Sequence, residues 1–406
     1  MVETTIYAEN YKSSAEKAIQ KAINVCAAQG GGSVVVGAGD WKTGPLHLTD
    51  HIHLVLEKGA KLIFSDKPDD YLPVVFTRWE GTECYNYSPL IYAKDVEDIS
   101  ISGAGTLYGN GPSWWGWKQL QQPAADALYR AASEKTPVNQ RVYGTQKAAL
   151  RPSFIQFINC KDVALSDFTI QDGPQWTIHP VYCKNVVVRN VTVDTNGHNT
   201  DGLNPDSCED VLIEDCCFST GDDCIAINSG LNEDGWRVGK TCRNITIRKC
   251  VMNGGHGGVV IGSAMSGGVE NILMEDCDIR NTMQGIRLKS MRGRGGYVKN
   301  VEVRNIAIHD VTDQAIQINM FYESSTVQPK TNTAPIFDDI VIENVTGTSR
   351  GLGVQIKGLP EQKLQNVTLK NIHLIAADAM TCSDVEGLTM ENVQIDKEKT
   401  NDGQTV

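Results

Sequence analysis

One short pattern recurs along this chain: an Asn or Asp, alternating apolar residues, a second Asn or Asp, and another pair of apolar residues. Its copies begin at Asp98, Asp162, Asn185, Asp210, Asn244, Asn271, Asn300, Asp339, Asn366 and, in a weaker form, Gly387. From Asp162 to Gly387 the steps between copies are 21 to 39 residues long. Self-similarity with a period in this range is typical of solenoids, in which each repeat packs on its neighbours.

Each copy has the periodicity of a β-strand, with an apolar residue at every second position and many Val, Ile and Thr. Such strands share one continuous core when they stack in register about 4.8 Å apart. The sequence therefore predicts an all-β fold, a single-stranded parallel β-helix of about ten coils, as one domain over residues 1–406. A chain of 406 residues would otherwise suggest two or three compact domains at roughly 100–200 residues each.

Two further features of the repeats concern residues inside the coils and at their corners. The sixth position after the repeat start is apolar throughout: Val191, Cys216, Cys250, Cys277, Ile306, Val345 and Ile372. These cysteines are therefore interpreted as core residues and not as metal ligands, since free Cys packs as a small hydrophobe. The recurring Asn and Asp are expected to hydrogen-bond the backbone of the turns.

Two segments depart from the repeat. Residues 13–28 place one apolar stripe on a helical face, which predicts an amphipathic helix that caps the open end of the stack. This stripe comprises Ala15, Ala18, Ile19, Ala22, Ile23 and Cys26. Residues 112–150 contain three tryptophans and a helix-like stretch, and they are predicted to be a loop insertion that borders a groove.

The charge balance limits the classes of partner. Lys and Arg number 37 against 49 Asp and Glu, a formal charge of −12, so the surface as a whole repels nucleic acid and anionic membranes. No apolar run is long enough to span a bilayer, and we expect neither partner. Residues 1–5 lack the features of a secretory leader, so a cytoplasmic location is expected. Secretion, or export to the periplasm with the leader removed, is the alternative.

Six chemically active residues occupy similar places in four successive repeats. They are Asp201, Asp222, Asp223, His256, Arg287 and Lys289, each 12 to 18 residues after the start of its own repeat. Residues at similar offsets lie on the same side of a β-helix, here within about 15–20 Å of one another. Two adjacent carboxylates in a turn repel each other, which suggests that something binds between them.

This combination of residue types indicates glycoside hydrolysis. An inverting glycosidase needs one protonated carboxyl group for the leaving oxygen and an opposing carboxylate that activates water. Carboxylates held close together raise the pKa of one member, and a neighbouring histidine can tune them. Arg287 and Lys289 are suited to a substrate carboxylate, and residues 287–299 hold five basic and no acidic residues. The sequence therefore favours a polymer of uronic acid as the substrate.

The segments around these residues resemble the signatures of the polygalacturonases, glycoside hydrolase family 28. Four signatures occur in the family's order: Asn199-Thr200-Asp201, Gly221-Asp222-Asp223, Gly255-His256-Gly257 and Arg287-Leu288-Lys289. The resemblance implies a right-handed parallel β-helix that hydrolyses α-1,4-galacturonosyl bonds of polygalacturonate or its oligomers with inversion. No metal ion and no cofactor are expected.

The resemblance also implies a role for each residue of the site. The catalytic residues would be Asp201, Asp222, Asp223 and His256, and the substrate-binding residues Asn199, Arg287, Lys289 and Tyr322. Asp222 would be the general acid, while Asp201 and Asp223 would hold and activate the water. His256 would support the ionisation of the acid, and the two cations would bind the carboxylate of a galacturonate unit.

The segments TGPLHL, DYLPVVFTRWEG and RPSFIQF are similar to the bacterial branch of the family that contains exo-acting enzymes. Exo-action from the non-reducing end, in pectin degradation, is therefore predicted, with residues 112–150 closing one end of the groove. Endo-polygalacturonase and rhamnogalacturonan hydrolase are the alternatives within the family. A calcium-dependent pectate lyase, with the three aspartates as ligands, and a non-catalytic carbohydrate-binding β-helix are the alternatives outside it.

Overall fold

The computed structural model describes residues 4–322 and 333–397, and these wind into a right-handed parallel β-helix. The predicted all-β solenoid is confirmed. Three stacks of parallel strands form its sides, because most coils contribute a strand to each stack and pair with the coils before and after them. The assignment of residues 1–406 to a single domain stays a prediction.

The strands of the first stack begin with the recurring motif. They are Thr5–Tyr7, Gly32–Val36, Ile52–Leu56, Glu97–Ser102, Lys161–Ser166, Lys184–Arg189, Glu209–Glu214 and Cys242–Arg248. Five longer strands continue from this stack round the corner into the second, namely Val269–Arg280, Tyr297–Val311, Ile336–Lys357, Leu364–Ser383 and Val385–Lys397. The ends of Ile336–Lys357 and Leu364–Ser383 continue further into the third stack.

The second and third stacks complete the coils. The second comprises Gly39–Thr43, Ala60–Phe64, Thr106–Tyr108, Thr169–Gln171, Thr192–Asp194, Cys217–Ser219 and Val251–Asn253. The third comprises Leu46–His47, Ile91–Lys94, Ile155–Ile158, Ile178–Val181, Ile225–Ile227, Gly257–Ile261, Gln284–Lys289 and Gln314–Asn319. The candidate site residues lie in the turns that lead into this third stack and along its strands.

The register of the first stack follows the repeat. The apolar residue directly after each repeat start pairs with its counterpart one coil later, from Ile99 to Leu388: Ile99, Val163, Val186, Val211, Ile245, Ile272, Val301, Ile340, Val367 and Leu388. A slip by one residue would turn these side chains from the core to solvent, so burial of the apolar column holds the register.

The Asn and Asp that start the repeats adopt left-handed backbone conformations, with φ of 56° at Asn185 and 57° at Asn271. Short polar side chains tolerate this region, which explains their recurrence at the corners. Their amides bond across coils, from Asn185 to Asp162 at 2.8 Å and from Asn271 to Asn244 at 3.0 Å. The expected bonds to turn backbone are thus replaced by a ladder of side chains, since stacked coils bring like residues within reach.

The cysteines are part of the core. Cys216, Cys250 and Cys277 are buried at the predicted column, where Cys277 pairs with Ile306 of the following coil. All 12 cysteines lie within the described residues, and all are free thiols. They contribute to stability by packing and not by crosslinking the chain.

Helix α1 (Ala18–Ala28) covers the first coils with the predicted stripe, burying Ala18, Ile19, Ala22, Ile23 and Cys26. It starts later than the predicted residue 13, because the chain forms 3-10 turns over Ala8–Lys17. Ser13 favours turns over helix interiors, and the side chains of Ser14 and Ala15 lie outside the described residues. Within the part of the chain described, no helix is long and apolar enough to cross a membrane.

Two excursions pack together on one side of the β-helix. The first is an antiparallel hairpin of Val75–Trp79 and Thr82–Asn86, which the sequence analysis did not predict. The second, residues 112–150, contains α2 (Pro112–Trp115) and α3 (Gln122–Ser133). Their contact is a small separate core of Trp79, Cys84, Ala125, Leu128 and Leu150. Short 3-10 turns at Pro68–Tyr71, Gly116–Gln119 and Val138–Gln140 and helix α4 (Asn232–Val238) complete the elements described.

Candidate active site

The structure brings Asp201, Asp222 and Asp223 into one cluster. Each offers a carboxylate oxygen, and these oxygens lie within 4.8 Å of one another. Leu203 pairs with Ile225 across consecutive coils, so Asp201 and Asp223 occupy equivalent positions, two residues earlier on each coil. Asp201 and Asp223 are almost fully buried, whereas 15% of the Asp222 side chain is exposed. Asp222 is therefore the carboxylate most accessible to a substrate.

The turn that carries His256 lies against the backbone of Asp222. A Cβ on Gly255 would stand 1.9 Å from the carbonyl oxygen of Asp222, and Gly255 has φ of +71°. Only glycine allows this close approach and this backbone conformation. It places the Nδ1 of His256 3.0 Å from Oδ1 of Asp222. Gly255 thus serves to bring the imidazole of His256 to the carboxylate of Asp222.

His256 and Asp222 shift each other's pKa. Burial opposes ionisation of Asp222, but the hydrogen bond and charge of His256, together with Lys289, outweigh it and lower the pKa of Asp222. The hydrogen bond to Asp222 in turn raises the pKa of His256. The imidazole therefore favours the ionised form of this carboxylate, as the resemblance implies for His256.

Asp201 behaves in the opposite way. Burial, followed by the charges of Asp222 and Asp223, raises its pKa well above the usual range, although the amide of Asn204 donates to its Oδ2 at 2.9 Å. Three carboxylates this close retain a proton between them, and in the unliganded protein burial favours Asp201 as its holder. The acid role of Asp222 requires this shared proton to move to it, and that role stays a prediction.

The two cations of the third stack lie beside Asp223. The buried Lys289 ammonium is 2.8 Å from Oδ2 of Asp223, and Nη1 of Arg287 is 3.8 Å from Oδ1. Burial lowers the pKa of Lys289, but Asp223 outweighs it and the net shift is upward. Lys289 has three donors, so it can hold Asp223 and still bind a substrate carboxylate.

Tyr322 lies against the same cations, although its offset in the repeat is larger than theirs. Its ring centroid is 4.9 Å from the ammonium of Lys289 and 5.5 Å from the guanidinium of Arg287. These distances are within the range of cation–π interactions. All eight residues predicted for the site therefore belong to one constellation once Asn199 is included.

Asn199 is held by Arg151, a residue that the sequence analysis missed. Its guanidinium is fully buried and donates to the carbonyl of His198 at 2.7 Å and to Oδ1 of Asn199 at 2.8 Å. The amide of Asn199 is 3.5 Å from Oδ2 of Asp222. Burial lowers the pKa of Arg151 to about 10. Arg151 lies just before the strand Ile155–Ile158, and the other repeats have no equivalent residue. The spacing of the repeats therefore does not indicate a role for it.

Seven of the eight predicted site residues, all except Arg287, line a cleft of about 660 Å³. The aspartates and Lys289 form its floor. Its walls include Glu80 from the hairpin and Lys118 and Tyr129 from residues 112–150, together with Met291 and Arg294. The volume suits a small number of sugar units.

The same cluster of aspartates has oxygen ligands of the kind that calcium prefers. Their oxygens already accept hydrogen bonds, from Asn204 to Asp201 and from Lys289 to Asp223. Asp201, with its raised pKa, retains a proton more readily than an ordinary carboxyl group. This arrangement favours proton sharing over cation binding.

Replacing His256 with Gln should lower stability only within a limited pH range. The raised pKa of His256 gives stability that is complete below its unfolded value, about 6.5, and is lost as pH rises through the folded value. The lowered pKa of Asp222 gives stability present above its unfolded value, about 3.9, and lost as pH falls. The melting temperatures of the two proteins should therefore differ at pH 5 and converge at pH 8.

The effect should be below about 1 kcal/mol, since 48% of the His256 side chain is exposed and its charge is screened. Thermal unfolding of both proteins across pH 4 to 9 measures it. A difference that grows between pH 5 and 8 would contradict this account of the pair.

A family model described as glycosyl hydrolases family 28 matches residues 26–395. The crystal structure of a hyperthermoactive exopolygalacturonase from Thermotoga maritima has a TM-score of 0.91 and 34% identity, covering 97% of this chain and 92% of that one. A probable polygalacturonase from Vitis vinifera is 29% identical over 92% of this chain and 74% of its own length. An exo-poly-alpha-D-galacturonosidase from Dickeya chrysanthemi is 26% identical over 93% of this chain and 68% of its own length.

Proposed function

This chain belongs to family 28 of the glycosyl hydrolases, and on that premise we propose that it hydrolyses α-1,4-galacturonosyl bonds of polygalacturonate and oligogalacturonides with inversion. The observation that carries the proposal is the cluster of three carboxylates within 4.8 Å of one another, next to the buried ammonium of Lys289. An acid, a base and a site for a uronate carboxylate are thus present in one cleft. Relatives named as polygalacturonases support the same substrate.

In the proposed reaction, Asp222 donates its proton to the glycosidic oxygen while the bond from C1 to that oxygen breaks. A water molecule held by Asp201 and Asp223 forms the new bond to C1 from the opposite face, and its proton passes to Asp201. Burial raises the pKa of Asp201, so this carboxylate is the stronger base once ionised. Return of the proton from Asp201 to Asp222 resets the site. Lys289 and Arg287 bind the carboxylate of the sugar at the cleavage position.

The spacing of the carboxylates does not by itself specify inversion. Inverting glycosidases usually separate their two carboxyl groups by about 6.5–9.5 Å, and retaining enzymes by about 5–5.5 Å. Here one oxygen of each aspartate lies within 4.8 Å of one oxygen of each of the others, a contact shorter than the inverting separation. We attribute inversion to the presence of a third carboxylate. Asp201 and Asp223 together can hold a water molecule at the place from which a single carboxylate would attack the sugar in a retaining enzyme.

Exo-action is supported by the wall that the hairpin and residues 112–150 add to the cleft. Glu80, Lys118 and Tyr129 line the cleft together with the aspartates and Lys289, and Glu80 is bonded to Gln175 of the coil before Asp201. A chain bound through Lys289 would therefore meet the wall shortly after passing the aspartates. The cleft therefore has space for the end of a chain beyond the aspartates. An endo-acting enzyme would need space there for a polymer that continues.

Digestion of defined oligogalacturonides, followed by ¹H NMR, tests both features. We expect galacturonate as the first product from trimers and longer oligomers, with its new anomeric centre in the β configuration because the substrate linkage is α. Viscosity of polygalacturonate should fall slowly relative to the release of reducing sugar. Rapid loss of viscosity would refute exo-action, and an α-anomer as first product would refute inversion.

The same digests discriminate the alternatives outside hydrolysis. A calcium-dependent lyase would give unsaturated products that absorb in the ultraviolet, and a chelator would abolish them. We expect no such absorbance and full activity in the presence of the chelator. A carbohydrate-binding protein without activity would leave the oligomers intact.

We further propose that the protein acts in a reducing compartment, on oligomers short enough to be imported. Its 12 cysteines are all thiols, and 10 of them are buried, whereas proteins of oxidising compartments commonly form disulfides. The protein is isolated from its native source without reductant, alkylated and measured by mass spectrometry. In the folded protein only Cys217 and Cys382 should be alkylated, and after denaturation every cysteine should be. Native disulfides would contradict this location.

A further inference from the structure

Glu80 is presented to the cleft by the tip of the hairpin. It lies between the two strands of the hairpin, with φ of 41°. Its carboxylate accepts hydrogen bonds from the hydroxyl of Tyr129 at 2.8 Å and the amide of Gln175 at 3.3 Å. A carboxylate has about four acceptor positions, so two remain for a molecule in the cleft.

The hairpin that carries Glu80 is fixed by one buried ion pair of its own and by backbone contact with a second buried ion pair. Arg78, directly before Trp79, is bound to Asp206 at 2.9 Å with neither side chain exposed. Arg141 is bound to Asp234 at 2.7 Å, and the same aspartate accepts a bond from the backbone of Glu83. Buried pairs are retained where a particular geometry is needed in some proteins. The position of Glu80 is thus set before any ligand binds.

Lys118 lines the same wall and provides a positive charge near Glu80. Its ammonium makes no ion pair with any of the residues that the structure describes. The wall therefore offers one hydrogen-bond acceptor and one cation side by side. A galacturonosyl unit carries the matching groups, ring hydroxyls and a carboxylate.

The carboxylate of Glu80 would repel an anionic polymer unless it accepted a hydrogen bond from one of the polymer's hydroxyl groups. Only the unit at the non-reducing end has a free 4-hydroxyl, because the 4-oxygen of every other unit forms a glycosidic bond. We propose that Glu80 is a specificity-determining residue that recognises the chain end by accepting a hydrogen bond from this 4-hydroxyl, while Lys118 binds the carboxylate of the same unit. The proposal rests on the proposed exo-hydrolase function and names the groups that select the end.

Two trigalacturonates test the proposal: the saturated trimer, and one whose non-reducing unit has a C4–C5 double bond and no 4-hydroxyl. Wild-type protein should have a kcat/KM for the saturated trimer about 10- to 100-fold higher, the range for a hydrogen bond to a charged group. Glu80→Ala should lower kcat/KM for the saturated trimer by a similar factor. It should change kcat/KM for the unsaturated trimer little. The ratio between substrates should therefore approach one.

Glu134→Gln is the matched control, since Glu134 is an exposed carboxylate of residues 112–150 outside the cleft. It should leave the ratio unchanged. Equal losses on both trimers in Glu80→Ala, or an unchanged ratio, would overturn the role of Glu80. Lys118→Gln should lower kcat/KM on both trimers alike, since both terminal units carry the carboxylate. If wild-type protein releases no monomer from the saturated trimer, the proposed function itself fails, which is a separate result.

Discussion

Replacing Asp222 with Asn is expected to lower kcat on polygalacturonate by about 10²- to 10⁴-fold, the range for loss of a general acid. The amide keeps the shape of the side chain and one acceptor oxygen for the backbone N–H of Asp223, but it has no acidic proton to donate. Substrate binding should change much less, because Lys289 and Arg287 remain. Initial rates and KM measured on oligogalacturonides give both quantities.

Asp215→Asn provides the matched control for Asp222→Asn. Asp215 is an exposed corner residue of the same coil with φ of 55°, a conformation that Asn also tolerates. It should retain the wild-type kcat and melting temperature. If Asp222→Asn kept more than about a tenth of the wild-type kcat, the loss would fall short of the 10²-fold lower limit for removal of a general acid. Asp222 would then not be the acid.

Replacing Lys289 with Met should lower kcat/KM by two orders of magnitude or more, with KM rising as well. The ammonium is buried 2.8 Å from Asp223, and its loss removes both the cation for the substrate carboxylate and the partner of that aspartate. Breaking a buried pair from one side costs about 3–5 kcal/mol. The variant should therefore also unfold at lower temperature than the wild type.

The control for Lys289→Met is Lys299→Met, a lysine of the same basic stretch that is exposed away from the cleft. Steady-state kinetics and calorimetry on both variants separate the effects. A loss of stability in Lys289→Met with unchanged KM would assign Lys289 a purely structural role. A fall in kcat/KM of similar size in Lys299→Met would indicate that overall charge, and not the pair with Asp223, controls binding.

Much of the fold was predictable because its determinants are periodic. The side-chain period of two and the recurrence of Asn and Asp identify each coil, and burial of one apolar column then fixes the register from Ile99 to Leu388. The same periodicity predicts that Asp201, Asp222, Asp223 and His256 lie on one side of the β-helix. The hairpin of Val75–Asn86 carries no such repeat, which is why it was missed.

The sequence by itself determined the solenoid, its register and which residues line one side of four coils, since these depend on local alternation repeated many times. Only the tertiary structure decided how the site works. It placed Arg151 under Asn199, raised the pKa of Asp201 by burial and put the carboxylate of Glu80 at the wall of the cleft. These depend on contacts between segments distant in sequence and on burial in the folded protein, and neither leaves a period in the chain.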